Sequence, residues 1–308
     1  MKKSLKSMRE SALYLDAFIL HGNGKLLDFD NPETGEKIRY AQWNTRAIKD
    51  CPFRSAGCEA VCYATKGNHV FPSVQNSRNK SYEQTRRHDF TDAMVYTIHT
   101  EKKSKRYANA EMRIRIHESG DFYSVQYLRK WVYVWNKFHS GDGVAFTLYT
   151  KSFPFILKLT PEQIRIIREA MEDGVLAINL SVDDTTTPEQ RSAMLKVLAL
   201  LPKANIYRIT EHFTDDDDQC DCADCAKCAA CNKATGGHKV VKLHSASAAD
   251  IFGDGSSLIV WLVRYPRISN DSTSPLSSAT PTLIRSVYIV TPFCSAARLT
   301  TQIPLRIS

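Results

Sequence analysis

Between residues 112 and 210 strand-like and helix-like segments alternate at short intervals, and this alternation restricts the chain to α/β architectures. MRIRIH (112–117) alternates as a strand does, and YLRKWVYVWNKF (127–138) has helical apolar spacing. VAFTLYT (144–150) reads as a strand. PEQIRIIREAM (161–171) opens on Pro161, carries Glu162 in its first turn and stops before Gly174, as a helix does. LAINLSV (176–182) is again a strand. TPEQRSAMLKVLALL (187–201) is a helix with Thr187 as N-cap, Pro188 at its first position and Gln190 three residues on. NIYRIT (205–210) follows as a strand, KVVKLH (239–244) suits one more, and IRYAQWN (38–44) an earlier one. Up to residue 106 the remainder reads as irregular, with turn signals at HGNG, DNPETGE and RSAG.

Strands joined by helices at this spacing form right-handed βαβ units and a parallel sheet. The expected fold is α/β: a partial (β/α)6 barrel or an open parallel sheet with helices, plus cysteine-rich metal-binding loops. The core is expected over 38–250, with a cysteine-rich insertion at 215–238, after an N-terminal extension at 1–37. The stretch 251–308 differs: it holds five Arg, two Asp, no Lys and no Glu, with SNDSTSPLSSATPT inside it. It reads as an atypical Ser/Thr/Pro-rich tail: either a linker followed by a short apolar strand, RSVYIVTPF, or a segment outside the evolved domain.

Hydrophobic residues make up 43% of the chain and charged residues 24%, the balance of a soluble globular protein. The longest apolar run, LIVWLV at 258–263, is far short of the roughly 20 residues a membrane helix needs, so no membrane partner is expected. The basic start MKKSLKSMRE leads into LYLDAFIL, whose Asp16 is foreign to a signal-peptide core; a cytoplasmic protein is expected. The net charge of +8 draws on that start and on residues 78–115, which include SRNK, TRRH and EKKSKR. Nucleic acid is a partner this stretch would suit, as is a plain solvated surface.

Eight of the nine cysteines fall in two tight groups, with Cys294 apart. In a reducing compartment such groups point to metal or catalysis rather than disulfides. In CPFRSAGCEAVCYA, Cys51, Cys58 and Cys62 supply three thiolates within a turn-rich segment. Structural zinc takes four protein ligands, whereas a 4Fe–4S cluster held by three cysteines keeps one iron open to substrate or cofactor. In QCDCADCAKCAACNK, Cys220 precedes Cys222, Cys225, Cys228 and Cys231 at C-x2-C-x2-C-x2-C spacing. This run is compatible with ferredoxin-like iron–sulfur ligation and with tetrahedral zinc. His238 and His244 lie close enough in sequence to replace a cysteine, and Asp215–Asp218 read as a solvated loop.

Polar residues collect where successive strands end, the ligand face of open sheets and barrels. His117, Glu118 and Asp121 are the catalytic candidates, and Glu118, Gly120, Asp121 and Ser181 the cofactor-binding ones. Tyr149–Ser152, Asp183–Asp184 and Thr210–His212 fall at equivalent places.

Four ordered motifs carry a resemblance. CP-x5-C-x3-CYA, RIHESGDF-x4-YL-x2-W, F-x2-YTKS and the cysteine-rich stretch ending in histidine, from about Gln42 to His244, resemble the bacteriophage "gene product 88" family. Its usual tryptophan after the last clustered cysteine is replaced here by Asn232. The resemblance implies a phage origin, hence the host cytoplasm, without fixing an activity or a substrate. A more distant similarity is to radical S-adenosylmethionine enzymes, which have a partial (β/α)6 barrel and a three-cysteine loop after the first strand. That similarity implies a cluster on Cys51, Cys58 and Cys62, and Gly120–Asp121 or Glu118 holding the amino group of S-adenosylmethionine. The second cysteine group would then carry an auxiliary cluster. The spacing C-x6-C-x3-C departs from the common C-x3-C-x2-C, with Tyr63 following the last cysteine instead of an aromatic preceding it.

If 251–308 lies outside the evolved domain, limited proteolysis should remove it well before residues 112–210 are cut, as mass spectrometry of the fragments would record.

Overall fold

The computed structural model describes residues 18, 20, 28–30, 35–210 and 230–242. Seven strands form one sheet in chain order: β1 (Phe29–Asp30), β2 (Lys37–Trp43), β3 (Glu111–Ile116), β4 (Val144–Thr150), β5 (Leu176–Asp183), β6 (Asn205–Thr210) and β7 (His238–Lys242). β1 pairs antiparallel with β2, and β2 to β7 run parallel. The described helices are α1 (Ala56–Ala60), α2 (Pro72–Thr85), α3 (Phe90–Lys102), α4 (Val125–Trp135), α5 (Phe153–Ile156), α6 (Pro161–Glu172) and α7 (Pro188–Leu200). Because the parallel strands follow chain order without reversal, right-handed crossovers place the connecting helices on one face.

The strand sequences show why. In β3, Met112, Ile114 and Ile116 belong to the apolar core with helix residues, whereas Arg113 and Arg115 alternate to the other side. Val144, Phe146 and Leu148 of β4 and Leu176, Ile178, Leu180 and Val182 of β5 continue the apolar face. Tyr40, Thr147, Tyr149, Asn179 and Asn205 continue the polar one. α6 and α7 each begin with a proline in the first turn, as expected; the reciprocal Thr/Gln capping box expected at Thr187–Gln190 is present, and α6 has a second one at Thr160–Gln163.

The expectation of irregular structure before residue 106 is corrected by α2 and α3. α2 lacks an apolar stripe; what it buries is Arg78, Ser81, Gln84 and Thr85, so periodicity had nothing to report. Phe18 and Leu20 lie in the segment expected as an extension. Phe18 nevertheless packs 5.2 Å from Trp43 and 5.5 Å from Phe90, between ring centroids. Among the described residues no helix is long and apolar enough to cross a membrane.

Phe90 is fully buried and meets Trp43, Tyr127 and Trp131 with centroids 5.7–6.0 Å apart. Phe90→Ala should therefore cost about 3–5 kcal/mol. Chemical denaturation would show it as a lowered midpoint at unchanged slope.

Candidate functional site at the strand ends

The segment after β2 is locked to the turn after β3 before the first cysteine is reached. Thr45 N donates to Ser119 O at 2.9 Å, Ser119 Oγ returns a bond to Thr45 O at 3.0 Å, and Ser119 N donates to Asn44 Oδ1 at 3.1 Å. Gly120 adopts φ +84°, and a Cβ there would run into Thr45 Oγ1. Its glycine is thus required by packing on Thr45. Arg46 grips the fully buried Asp50 through Nε (3.1 Å) and Nη2 (2.6 Å), and lies 3.3 Å over the Tyr82 ring. Ile48, just before the cysteines, is held at φ +63°, an unusual conformation for a β-branched residue.

The cysteine loop then docks on the ends of β4 and β5. Ser55 Oγ caps α1 by accepting from Cys58 N and donates to Asp183. Gly57 N donates to Thr185 Oγ1 at 2.7 Å, with no room for a Cβ, which would stand 2.9 Å from that oxygen. Thr185 Oγ1 in turn donates to Asp183 Oδ1 at 2.7 Å, and Lys151 Nζ to Asp183 Oδ2 at 2.8 Å. Lys151 also reaches Ser181 O at 3.3 Å, and both partners of this ion pair are nearly buried, with side-chain exposures of 8% and 11%. On the far side, buried Arg78 holds Ala64 O at 3.1 Å and His69 Nδ1 at 2.7 Å, fixing the chain after Cys62.

Cys51, Cys58 and Cys62 are electrostatic neighbours. Burial pushes the Cys51 thiol well up, helped by Asp121 and by the other two cysteines. Burial likewise takes Cys58 to about 11, against the pull of Lys151. Among the described residues, no group of three or more His, Cys, Asp or Glu side chains is gathered tightly enough to hold a single metal ion. Cys220, Cys222, Cys225 and Cys228, with Asp215–Asp218, Glu211, His212 and His244, lie outside the described residues.

The other site candidates separate. His117 is not presented at the strand ends: φ +64° turns it into the core, where Nε2 lies 2.9 Å from Tyr127 Oη and the ring packs on Phe122. Asp121 is buried and its carboxylate is occupied by Phe122 N (2.7 Å), Thr150 Oγ1 (2.7 Å) and Lys151 N (2.9 Å). Burial nevertheless pushes its pKa up against these bonds. Glu118 is half-buried, with Asn44 Nδ2 at 3.5 Å from its carboxylate and Tyr63 Oη donating to its carbonyl. Ser181 is buried on β5 beside Lys151.

Sequence reasoning missed the polar face itself. The segment 230–234 lies across it: Asn232 O accepts from Arg113 Nη1 at 2.6 Å, its Oδ1 from Thr147 at 3.1 Å, and its Nδ2 donates to Tyr40 Oη at 2.6 Å. Asn179 donates to Cys231 O at 3.0 Å and Asn205 to Lys233 O at 2.8 Å. This places Cys231 beside Tyr149 and Tyr207. The alternating arginines of MRIRIH were the available signal. The basic stretch 78–115 does not stay on one surface, since Arg78 and Arg113 are buried and Arg115 is half-buried against Tyr149.

Fold and site together define an α/β protein whose parallel strands end under a docked three-cysteine loop. A family model described as gene product 88 matches residues 17–234, and the chain belongs to that family, the phage-protein family its motifs resemble. No curated protein and no solved structure matches the chain.

Acid should erode stability in two stages. Burial holds His117 at about 3, below an ordinary histidine value near 6.5, so its contribution is full above about pH 6.5 and falls between there and about 3. Burial works to raise Asp183, but Lys151, Ser55 and Thr185 more than offset it and hold the carboxyl below its usual value. That contribution is full above about pH 3.9 and is lost as pH falls through the lowered native value. Urea unfolding at about pH 7, 5 and 3 should show the first stage removed by His117→Asn and the second by Asp183→Asn.

Proposed function

We propose that this chain is an iron–sulfur enzyme of the radical S-adenosylmethionine-like kind, built on a partial (β/α)6 barrel and acting on a substrate at its strand-end face. One observation carries the reading: the buried Lys151–Asp183 pair, with Ser55 and Thr185, seats the three-cysteine loop over the ends of β4 and β5. The placement along the chain supports it. The loop leaves the first parallel strand, the Glu118–Asp121 turn leaves the second, and the strands keep chain order.

The donor set fits such a cluster. Three soft thiols are the ligand type that iron–sulfur chemistry selects. As bare groups Cys51 and Cys58 stay protonated, so a bound cation is needed to hold them as thiolates. When bound, the cluster would supply the electron that cleaves S-adenosylmethionine reductively. Of the turn after β3, Glu118 is best placed to meet an ammonium group, because Asp121 serves the backbone of the neighbouring strand and Gly120 packs on Thr45. Lys151 would keep positive charge beside Cys58 and hold the β4 and β5 ends together.

A zinc-stabilised protein of phage origin that binds nucleic acid or a host partner is the other reading of the cysteines and the basic stretch. It has less support, because two arginines of that stretch are buried and a third is half-buried against Tyr149.

Anaerobic purification, metal analysis and an ultraviolet–visible spectrum test the assignment. A brown protein with about four irons on the first cysteine group is expected, and Cys58→Ala should lose that iron. Protein that binds zinc alone under these conditions would overturn it.

A further inference from the structure

β3 sends two arginines to the polar face of the sheet, and their surroundings differ. Arg113 is paired with the Glu111 carboxylate and donates to Asn232 O at 2.6 Å. Arg115, two residues on, is half-buried with its guanidinium 4.9 Å from the centre of the Tyr149 ring. Its Nε is buried without an acceptor, and among the described residues no group accepts a hydrogen bond from it or forms an ion pair with it. Glu118, Tyr63, Tyr149 and Cys231 are near enough to favour its charge against the penalty of burial, but none is bonded to it.

A guanidinium stays charged at any physiological pH and carries five donors in a rigid fork. Withdrawing even its Nε from water without an acceptor is costly, and native proteins seldom leave such a group unmatched. Here Tyr149 covers one face of the fork and is itself backed edge-on by Tyr207 at 5.0 Å. Stacking satisfies the plane of the cation and leaves the donors along its edge unspent. The edge of a guanidinium matches the two oxygens of a carboxylate or phosphate.

We propose that Arg115 is the anchor of an oxyanion-binding subsite on the polar face of the sheet, walled by Tyr149 and Tyr207, that takes the carboxylate or phosphate of a ligand. Glu118 of the turn after β3 and Cys231 are both electrostatic neighbours of Arg115, so a ligand held there has the strand-end turn within reach. It stands whether or not the cysteines carry a cluster, because it uses the charge and geometry of β3, β4 and β6 alone.

Calorimetric titration of the full chain with benzoate and, separately, with inorganic phosphate tests it, and the anion that binds more tightly identifies the source. At least one should bind saturably. Arg115→Met should weaken that binding about tenfold or more, and Arg115→Lys should fall between, since a point charge replaces the fork. Without ligand, Arg115→Met should melt at the same or a higher temperature, because an unmatched cation is removed. Equal binding by the variant, or no saturable binding of either anion, would overturn the subsite. So would a ligand-free melting temperature lowered by more than about 5 °C, which would make Arg115 a structural cation. Loss of bound iron in Arg115→Met with anion binding unchanged would likewise assign it to the metal and overturn the proposal.

Discussion

Where β5 leaves the sheet, four donors from three separate segments converge on the carboxylate of Asp183: Lys151 Nζ, Ser55 Oγ, and the amide and hydroxyl of Thr185. A buried ion pair is expensive unless the remaining lone pairs are satisfied, and here they are. The pair thereby joins the loops after β2, β4 and β5 into one unit. Removing either partner leaves a buried charge unmatched, so these loops stand or fall together. The three cysteines ride on that unit.

The same logic extends across the sheet. Parallel sheets wound by helices are usually apolar on both faces, whereas this one is apolar only toward its helices. Its opposite face carries arginine, threonine and asparagine side chains, and these are satisfied by the backbone and side chain of a short segment ending the cysteine-rich stretch. Asn232 alone touches β2, β3 and β4. The polar face thus serves as the anchor for Cys231, and Arg115, whose Nε has no acceptor among the described residues, is the departure from that pattern.

The regular second half was legible because its strands and helices announce themselves by period and cap. α2 was not, since its buried side chains are polar and hydrogen-bonded, and polarity without period looks like loop. His117 shows a different limit. Strand alternation assigns it to the face of Arg113 and Arg115, yet a left-handed backbone at φ +64° turns it into the core. Gly120 was legible as special but for another reason: Thr45 fills the space a side chain would need, and no local pattern connects residues 45 and 120.

By itself, then, the sequence determined the α/β class, the parallel winding, the two cysteine groups and the polar strand ends, because periodicity, caps and spacing are local properties. Only the tertiary structure decided which of those polar residues meet. Lys151 with Asp183, Asn232 with three strands and Arg115 with the ring of Tyr149 all depend on segments far apart in the chain. A hydrogen bond or an unmatched charge is a property of a neighbourhood, and the neighbourhood exists once the chain has folded.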